Sequence, residues 1–325
     1  MLEITNPTEA ELETVLQFAF QHLPPSDLDV QIGAMMKQYH SGQLDLSGVF
    51  QAKNNGDLVG AMYVQTRPDG SAMLWVPAWA PGFPPESMSQ EPMFESLVQF
   101  CRTQNAFAAI AIADRDQQFD EKTFCSAGQF QFLSNMVNLS VVIPPVSDAL
   151  NEYFTAKTQA VFESGAKHFG GTLQFVPLSD YSEDTSDRLK RLVKETYRNT
   201  LDFPDLMQIA PVEKVLQGYK ANALFLPELW FFIQKEGNDV GVLLLTDLPP
   251  EQFELTYMGL LESARRRGFS QEIVRFAKET ARRWNRLLLL TSVDANNIPA
   301  CQAYLAQGFK AWDRKKVFVR FFGEG

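Results

Sequence analysis

Alternating and helical patterns of hydrophobic residues occur along this chain in the same order twice. In the first half, a short apolar strand at Leu2–Thr5 is followed by helical spacing over Glu9–His22. In the second half, Leu173–Val176 predicts a strand and Ser186–Thr200 a helix. One face of the latter helix forms a single apolar stripe, which predicts a buried side, at Leu189, Leu192, Val193, Thr196 and Tyr197.

Each half continues with a predicted β-hairpin. Gly48–Val64 and Trp230–Leu245 are alternating apolar runs separated by Asn-Gly and Gly-Asn turn signals. Val59-Gly60 recurs as Val240-Gly241, and Phe124 with Gly128 recurs as Tyr304 with Gly308 at almost the same sequence offset. Two repeats of about 150 residues are too long for a solenoid and predict two whole domains.

A further helix is predicted between the repeats. The strand pattern at Met136–Ile143 ends at Pro144-Pro145, and helical spacing then covers Asp148–His168 before Gly170-Gly171. We therefore predict a first domain at residues 1–145, a linker helix at 146–171 and a second domain at 172–325.

Composition narrows the classes of function. The 325 residues carry a formal net charge of −10, which argues against nucleic acid and anionic membranes as partners. No apolar run is long enough for a membrane span and the first ten residues do not resemble a secretory signal, so we expect a cytoplasmic protein. The three cysteines and three histidines are too scattered to predict a disulfide framework or a metal site.

The second half contains a candidate anion site. Phe253–Leu261 predicts a strand, Arg265-Arg266-Arg267-Gly268 a loop, and the following residues a helix to Trp284. Backbone N–H groups and the positive end of the helix dipole converge at such a helix start. Beyond it, Arg286–Val293 predicts a buried strand, followed by a loop and a short helix that ends at Gly308.

Two motifs in this region resemble those of the GCN5-related N-acetyltransferases, the GNAT superfamily. Residues 265–270 (Arg-Arg-Arg-Gly-Phe-Ser) resemble the family's acetyl-CoA loop, [RQ]-x-x-G-x-[GA]. The second motif is an Asn followed by Ala, Tyr and Gly-Phe at fixed spacing, and it is matched by Asn297, Ala300, Tyr304, Gly308 and Phe309. Two departures are Ser270 in place of Gly or Ala, and Glu262 where many relatives carry Pro.

The resemblance implies roles for particular residues. The backbone around the loop would hold the CoA pyrophosphate, Leu260 and Leu261 would pair with the pantetheine arm, and Asn297 would contact the cofactor. The implied cofactor-binding residues are Leu260, Leu261, Arg265, Arg266, Arg267, Gly268, Phe269, Ser270 and Asn297.

Two further residues are candidates for proton transfer. Tyr304 would lie near the CoA sulfur by resemblance, and a tyrosine is protonated at neutral pH, so it can protonate the departing thiolate. Glu254 precedes Arg265 by the same separation as the catalytic Glu in histone-acetylating relatives, and is the candidate base. Tyr257 is an alternative base. Without these roles, Tyr304 would be a packed core residue and Glu254 a solvated strand residue.

The first half has lost these residues. At the sequence offset of the repeat, Phe124 replaces Tyr304 and Gln117 replaces Asn297. Pro77–Pro85 contains four prolines, which lack the N–H groups of a pyrophosphate cradle. We expect this half to keep the fold without acetyl-CoA chemistry, to pack against the second domain and to place Trp75–Phe83 at the substrate cleft.

The fold expected from these observations is α/β, with two tandem acetyltransferase-like domains that each contain a mixed, mostly antiparallel sheet flanked by helices. The expected activity is transfer of an acetyl group from acetyl-CoA to a small-molecule or peptide amine, without a metal, in the C-terminal domain. A non-catalytic protein that senses acyl-CoA or another small molecule is the alternative, and a longer acyl donor also stays open. The sequence identifies neither the acceptor nor the oligomeric state.

Overall fold

The chain forms two compact units. The computed structural model describes residues 2–83, 89–114, 117, 119–144, 167–168, 172–178, 181–221 and 223–323. Unit 1 comprises Met1–Ser134 and Lys315–Gly325, and unit 2 comprises Asn135–Arg314.

Unit 1 is a twisted sheet covered by four helices. Its strands run in the order β1-β2-β3-β4-β5-β13, and the β4/β5 pair is parallel while the other described pairs are antiparallel. The elements are β1 (Leu2–Thr5), α1 (Glu9–Ala19), α2 (Pro25–His40), β2 (Val49–Asn54), β3 (Asp57–Thr66), β4 (Ser71–Trp79), α3 (Glu91–Thr103), β5 (Ala108–Asp114), α4 (Glu121–Gly128) and the last strand, β13 (Lys310–Phe321).

Unit 2 repeats this arrangement. Its strand order is β6-β12-β11-β10-β9-β8-β7, and again one pair, β11/β12, is parallel. The elements are β6 (Gln131–Val142), β7 (Lys167–His168), β8 (Gln174–Pro177), α5 (Glu183–Thr196), α6 (Pro204–Ile209), α7 (Val212–Ala221), β9 (Trp230–Lys235), β10 (Asn238–Leu248), β11 (Gln252–Leu260), α8 (Phe269–Arg283), β12 (Leu288–Asp294) and α9 (Ile298–Ala306), with short 3-10 turns at Pro227–Leu229 and Glu262–Ala264. The predicted fold class is confirmed.

The last strand of each half of the sequence pairs with a strand of the other half. Strand β6 follows unit 1 along the chain but pairs with β12 of unit 2, from Met136 opposite Asp294 to Val142 opposite Leu288. Strand β13 follows unit 2 but pairs with β5 of unit 1, and Phe318 lies fully buried in the unit 1 core. The predicted boundaries at 145 and 172 assign both strands to the other half, because sequence periodicity identifies a strand without its pairing partner.

The predicted linker helix lies almost entirely outside the described residues. At its predicted end, Lys167–His168 forms a short strand that pairs with β8, so the prediction that the helix reaches His168 is wrong. A strand here extends the edge of the unit 2 sheet beyond β8.

Both predicted hairpins form, and the turn of the second lies one residue earlier than predicted. In the first, Asn55 and Gly56 both have positive φ (53° and 93°), as a two-residue hairpin turn requires. In the second, the turn residues are Glu236 and Gly237 (φ 53° and 79°), one position before the predicted Gly-Asn pair.

Helix termini agree with local capping chemistry, and the predicted apolar stripes are buried. Thr8 and Glu11 form a reciprocal capping box at α1, and the Ser182 hydroxyl accepts a hydrogen bond from the N–H of Thr185 at α5. Gly308, with φ +86°, ends α9 as predicted. All five stripe residues of α5 are buried: Leu189, Leu192, Val193, Thr196 and Tyr197.

In the described part of the chain, no helix has the length and hydropathy of a bilayer span.

Candidate functional site

The parallel strands of unit 2 separate along their length. Strands β11 and β12 pair only at their first residues, from Gln252 opposite Leu288 to Glu254 opposite Leu290. Beyond Glu254 the two strands diverge, and β11 continues to Leu260 while paired with β10 alone. The split opens toward the start of α8, where the Arg265–Gly268 loop lies.

The loop that begins α8 presents unpaired backbone amides. Gly268 precedes the first helical residue with φ +79°, and Arg266 has φ +60°. The amides of Arg266 through Ser270 donate no hydrogen bond to any described group. Five amides at the positive end of a 15-residue helix form a surface that favours a phosphate group.

Arg265 holds this loop in place. Its Nε donates to the Leu260 carbonyl (3.0 Å), Nη1 to that of Asn199 (2.8 Å) and Nη2 to that of Thr196 (2.8 Å). One guanidinium therefore joins the loop to the ends of β11 and α5. The structure assigns the Arg265 side chain to positioning, whereas its neighbours Arg266 and Arg267 are exposed.

The other predicted cofactor-binding residues, in the loop and at the end of β11, are buried or half-buried. Phe269 is buried in the unit 2 core, and Ser270 is half-buried. At the end of β11, the Leu261 amide donates to the Val240 carbonyl (2.9 Å), and the Leu260 carbonyl accepts from Arg265. Both predicted pantetheine-pairing residues thus already make hydrogen bonds within the chain.

Asn297 begins α9 and caps it. Its side-chain oxygen accepts from the N–H of Ala300 (3.3 Å), and its side chain also hydrogen-bonds the Asp202 carboxylate. The short α9 therefore begins beside the end of β12. Through Asp202, Asn297 connects this point to the α5–α6 loop.

Tyr304 is buried on α9, with its side chain 4% exposed. Its hydroxyl interacts with the side chain of Thr291, whose own hydroxyl donates to the Leu255 carbonyl (3.0 Å). Burial raises the pKa of Tyr304 well above its usual value, so the hydroxyl keeps its proton at neutral pH. Thr291 and Leu255 come from β12 and β11, so Tyr304 lies beside the start of the split.

Glu254 lies at the last paired position of β11 and is half-buried. It pairs in register with Leu290, and side chains alternate along a strand, so Glu254 faces the side of the sheet opposite to Thr291. Tyr304 contacts Thr291 on that other side. The structure therefore places the two predicted proton-transfer residues on opposite faces of the sheet, at the same end of the split.

Tyr257 belongs to a cluster of aromatic hydroxyls. Its hydroxyl lies 2.8 Å from Thr196 Oγ1, which donates to the Val193 carbonyl and therefore accepts from Tyr257. Its ring packs against Tyr197 (centroids 5.8 Å apart) and Tyr219 (5.9 Å). Burial raises the pKa of Tyr257, which keeps its hydroxyl protonated and makes it a poor base.

Sequence reasoning missed a half-buried carboxylate, Asp202. It follows α5 in a loop, where isolated acidic residues are common, so no local signal marks it. Its Oδ1 accepts from the N–H of Asp294 (2.9 Å). Burial, together with the Asp294 charge, raises its pKa, while the hydrogen bonds from Asp294 and Asn297 oppose that shift.

The comparisons with known proteins agree with this geometry. Residues 191–309 match the family model described as Acetyltransferase (GNAT) family. The matched range contains the split strands, the α8 loop and Tyr304. Residues 191–309 therefore resemble a GNAT acetyltransferase domain.

Solved structures share the fold of this chain. A GCN5-related N-acetyltransferase from Sphaerobacter thermophilus is 14% identical, with a TM-score of 0.55, 98% of this chain and 95% of that chain covered. A GCN5-related glucosamine N-acetyltransferase region of a fungal multi-domain GH3 β-N-acetylglucosaminidase is 12% identical, with a TM-score of 0.54, 98% of this chain and 38% of that chain covered. At these identities the likeness shows the fold alone. No curated protein matches the sequence.

The GNAT fold supports acyl transfer in general. The usual co-substrate of that fold is acetyl-CoA. Among the described residues, no group of three or more His, Cys, Asp or Glu side chains is arranged to hold a metal ion.

Proposed function

We propose that the GNAT domain transfers an acetyl group from acetyl-CoA to an amine. The observation that carries the proposal is the split between β11 and β12, with the amides of Arg266–Ser270 at one end and the Tyr304 hydroxyl at the other. Both features lie in unit 2, which holds the two motifs of the sequence.

The CoA pyrophosphate would bind the amides of the α8 loop, and its acyl arm would enter the split. The exposed Arg266 and Arg267 add positive charge there. Arg265 keeps the loop at the end of β11 through its three carbonyl contacts.

The chemical step would be direct attack. The neutral nitrogen of the acceptor forms a bond to the acetyl carbon, the carbon–sulfur bond breaks, and the sulfur leaves with the electron pair. Tyr304 gives its proton to that sulfur, and the amine proton passes to Glu254 or to water. Because Glu254 and Tyr304 lie on opposite faces of the sheet, the base and the acid serve different atoms.

The acceptor would enter beside the segment from Leu201 to Leu226. Three large apolar side chains of this segment are exposed, namely Leu201, Ile209 and Leu224. They favour an amine with an apolar part.

Calorimetric titration of acetyl-CoA into the full chain and two Gly268 variants tests the proposal. A Cβ at Gly268 meets nothing within 4 Å, but its φ of +79° suits Asn and Asp better than most side chains. Gly268→Asp and Gly268→Asn therefore share backbone strain and shape, and only the first adds a negative charge. We expect one equivalent to bind the wild type, with at least tenfold weaker binding to Gly268→Asp than to Gly268→Asn.

Equal affinities of the two variants, or no binding to the wild type at millimolar acetyl-CoA, would overturn the proposal. Release of CoA thiol with a panel of amines then separates catalysis from sensing. Binding without thiol release would favour the acyl-CoA sensor.

A further inference from the structure

Unit 1 contains a pocket of about 730 Å³ that the proposed function does not use. Strands β4 and β5 pair from Ser71 opposite Ala108 to Leu74 opposite Ala111 and then diverge. The end of β4, from Val76 to Trp79, and the end of β5, at Asp114, both line the pocket. The pocket therefore occupies the split of the unit 1 sheet.

Backbone register relates this split to that of unit 2. Gly60 pairs with Trp79 in unit 1, and Gly241 pairs with Leu260 in unit 2. Trp79 thus holds the register position of Leu260. A Cβ at Gly60 would lie 2.5 Å from the Trp79 ring, so glycine is what allows the indole to lie across β3.

Two other lining residues also replace unit 2 residues, both at a sequence offset of 180. Phe124 stands in place of Tyr304 and Gln117 in place of Asn297. The acid and the cofactor-contacting Asn are absent, yet a cavity of ligand size persists. The residue types around it have changed from those of an acyl-transfer site to an aromatic lining.

The described lining of the pocket includes no Lys or Arg side chain, and its Pro77, like the neighbouring Pro81, has no N–H. The Ala80 amide donates to the Val59 carbonyl and the Phe83 amide to the Ala80 carbonyl, both at 2.9 Å. These two amides are therefore not open to a ligand.

The described lining includes four Trp or Phe rings and two carboxylates. The rings of Trp79 and Phe83 stack with centroids 6.5 Å apart and planes at 27°, and Phe119 and Phe124 form an edge-to-face pair at 5.5 Å. Asp120 is exposed beside them. Its hydrogen bonds from Thr123 lower its pKa, so it is ionised at neutral pH.

Asp114 and His22 are two further polar residues of the lining. One oxygen of Asp114 forms an ion pair with Lys315, and the other lies 4.0 Å from His22 Nε2. Burial lowers the pKa of His22 despite Asp114, so the imidazole is neutral at neutral pH and can accept a hydrogen bond.

We propose that unit 1 binds an organic amine with an aromatic body in this pocket, with its ring against Trp79 and Phe83 and its ammonium group near Asp120. Flat rings pack on the aromatic wall, and a cation gains from both the carboxylate and the ring faces. The ligand is bound without acyl transfer, since no residue at the Tyr304 position donates a proton.

Calorimetry on the full chain with 2-phenylethylammonium as the probe tests this. 3-Phenylpropanoate is its anionic counterpart of similar shape. Trp79→Leu installs the residue that unit 2 has at the same register, and Asp120→Asn removes the charge while keeping a side chain that caps α4. Trp312→Leu removes an exposed tryptophan of unit 2 as the control.

We expect the ammonium probe to bind, with at least tenfold weaker binding to Trp79→Leu and Asp120→Asn and no change in Trp312→Leu. Gly268→Asp should bind the probe like the wild type, which separates this site from acetyl-CoA binding. The proposal is overturned if the probe does not bind at millimolar concentration, if the anion binds equally well, or if Trp79→Leu and Asp120→Asn leave the affinity unchanged. The last result would place the probe elsewhere, such as the acceptor region of unit 2.

Discussion

The carboxylates of Asp202 and Asp294 each accept a hydrogen bond from a backbone N–H of the other's segment. Asp202 Oδ1 accepts from the N–H of Asp294 (2.9 Å), and Asp294 Oδ2 accepts from the N–H of Phe203 (3.1 Å), the residue after Asp202. The same Asp294 carboxylate also accepts from the N–H of Asn296 (2.8 Å). This pair fixes the loop after α5 to the end of β12.

Asp202→Asn should change how stability depends on pH. The folded-state pKa of Asp202 is raised, mainly by burial, so its favourable contribution is present at low pH and is lost as pH rises through that pKa. Asn keeps an oxygen for the Asp294 amide and cannot ionise. Relative to the variant, the wild type should therefore lose stability as pH rises above about 4, near the unfolded-state pKa. Urea unfolding from pH 4 to 8 measures this, and parallel curves for the two proteins would contradict it.

Tyr304→Phe should lower kcat by about 10²- to 10⁴-fold, the usual contribution of a positioned proton donor. The affinity for acetyl-CoA should stay the same, because the loop amides lie elsewhere. Phe keeps the ring that packs against Phe309 (centroids 5.4 Å apart), so the fold is retained. Steady-state kinetics with a thiol-release readout, together with calorimetry, check both parts. An unchanged kcat would show that Tyr304 only packs the core.

Arg265→Lys should destabilise the α8 loop, because an ammonium group cannot span the carbonyls of Leu260, Asn199 and Thr196. We expect a loss of about 1.5–3 kcal/mol and weaker acetyl-CoA binding. Arg267→Lys, at an exposed position, is the matched control and should change stability by less than about 0.5 kcal/mol. Urea unfolding of both variants tests the difference; equal losses would argue against a positioning role.

Phe318→Ala should destabilise unit 1 although the residue lies near the C-terminal end of the sequence. Phe318 is fully buried and packs against Phe119, Phe124 and Phe132. Loss of such a ring costs about 3–5 kcal/mol. Hydrogen exchange should increase first in β5 and its neighbours. Faster exchange confined to β12 would show that β13 stabilises unit 2 instead.

Local signals predicted most of the secondary structure and the candidate chemistry. The hairpins, the α5 stripe, the Gly308 helix end and the order strand, loop, helix around Gly268 depend on residues close in sequence. Arg265 shows the limit of such signals. Its place in the motif predicted a cofactor contact, but its partners include the carbonyls of Asn199 and Thr196, which are distant in sequence.

The sequence by itself determined that two related α/β repeats exist and that only the second keeps the acetyltransferase motifs. It did so because hydrophobic period, turn residues and motif spacing are local properties of the chain. Tertiary structure alone decided that β6 and β13 each pair with the other half, that Asp202 hydrogen-bonds Asp294, and that unit 1 contains a pocket at Trp79. Each of these depends on contacts between residues distant in sequence. The local pattern of residues does not indicate which partner a strand edge or a carboxylate contacts.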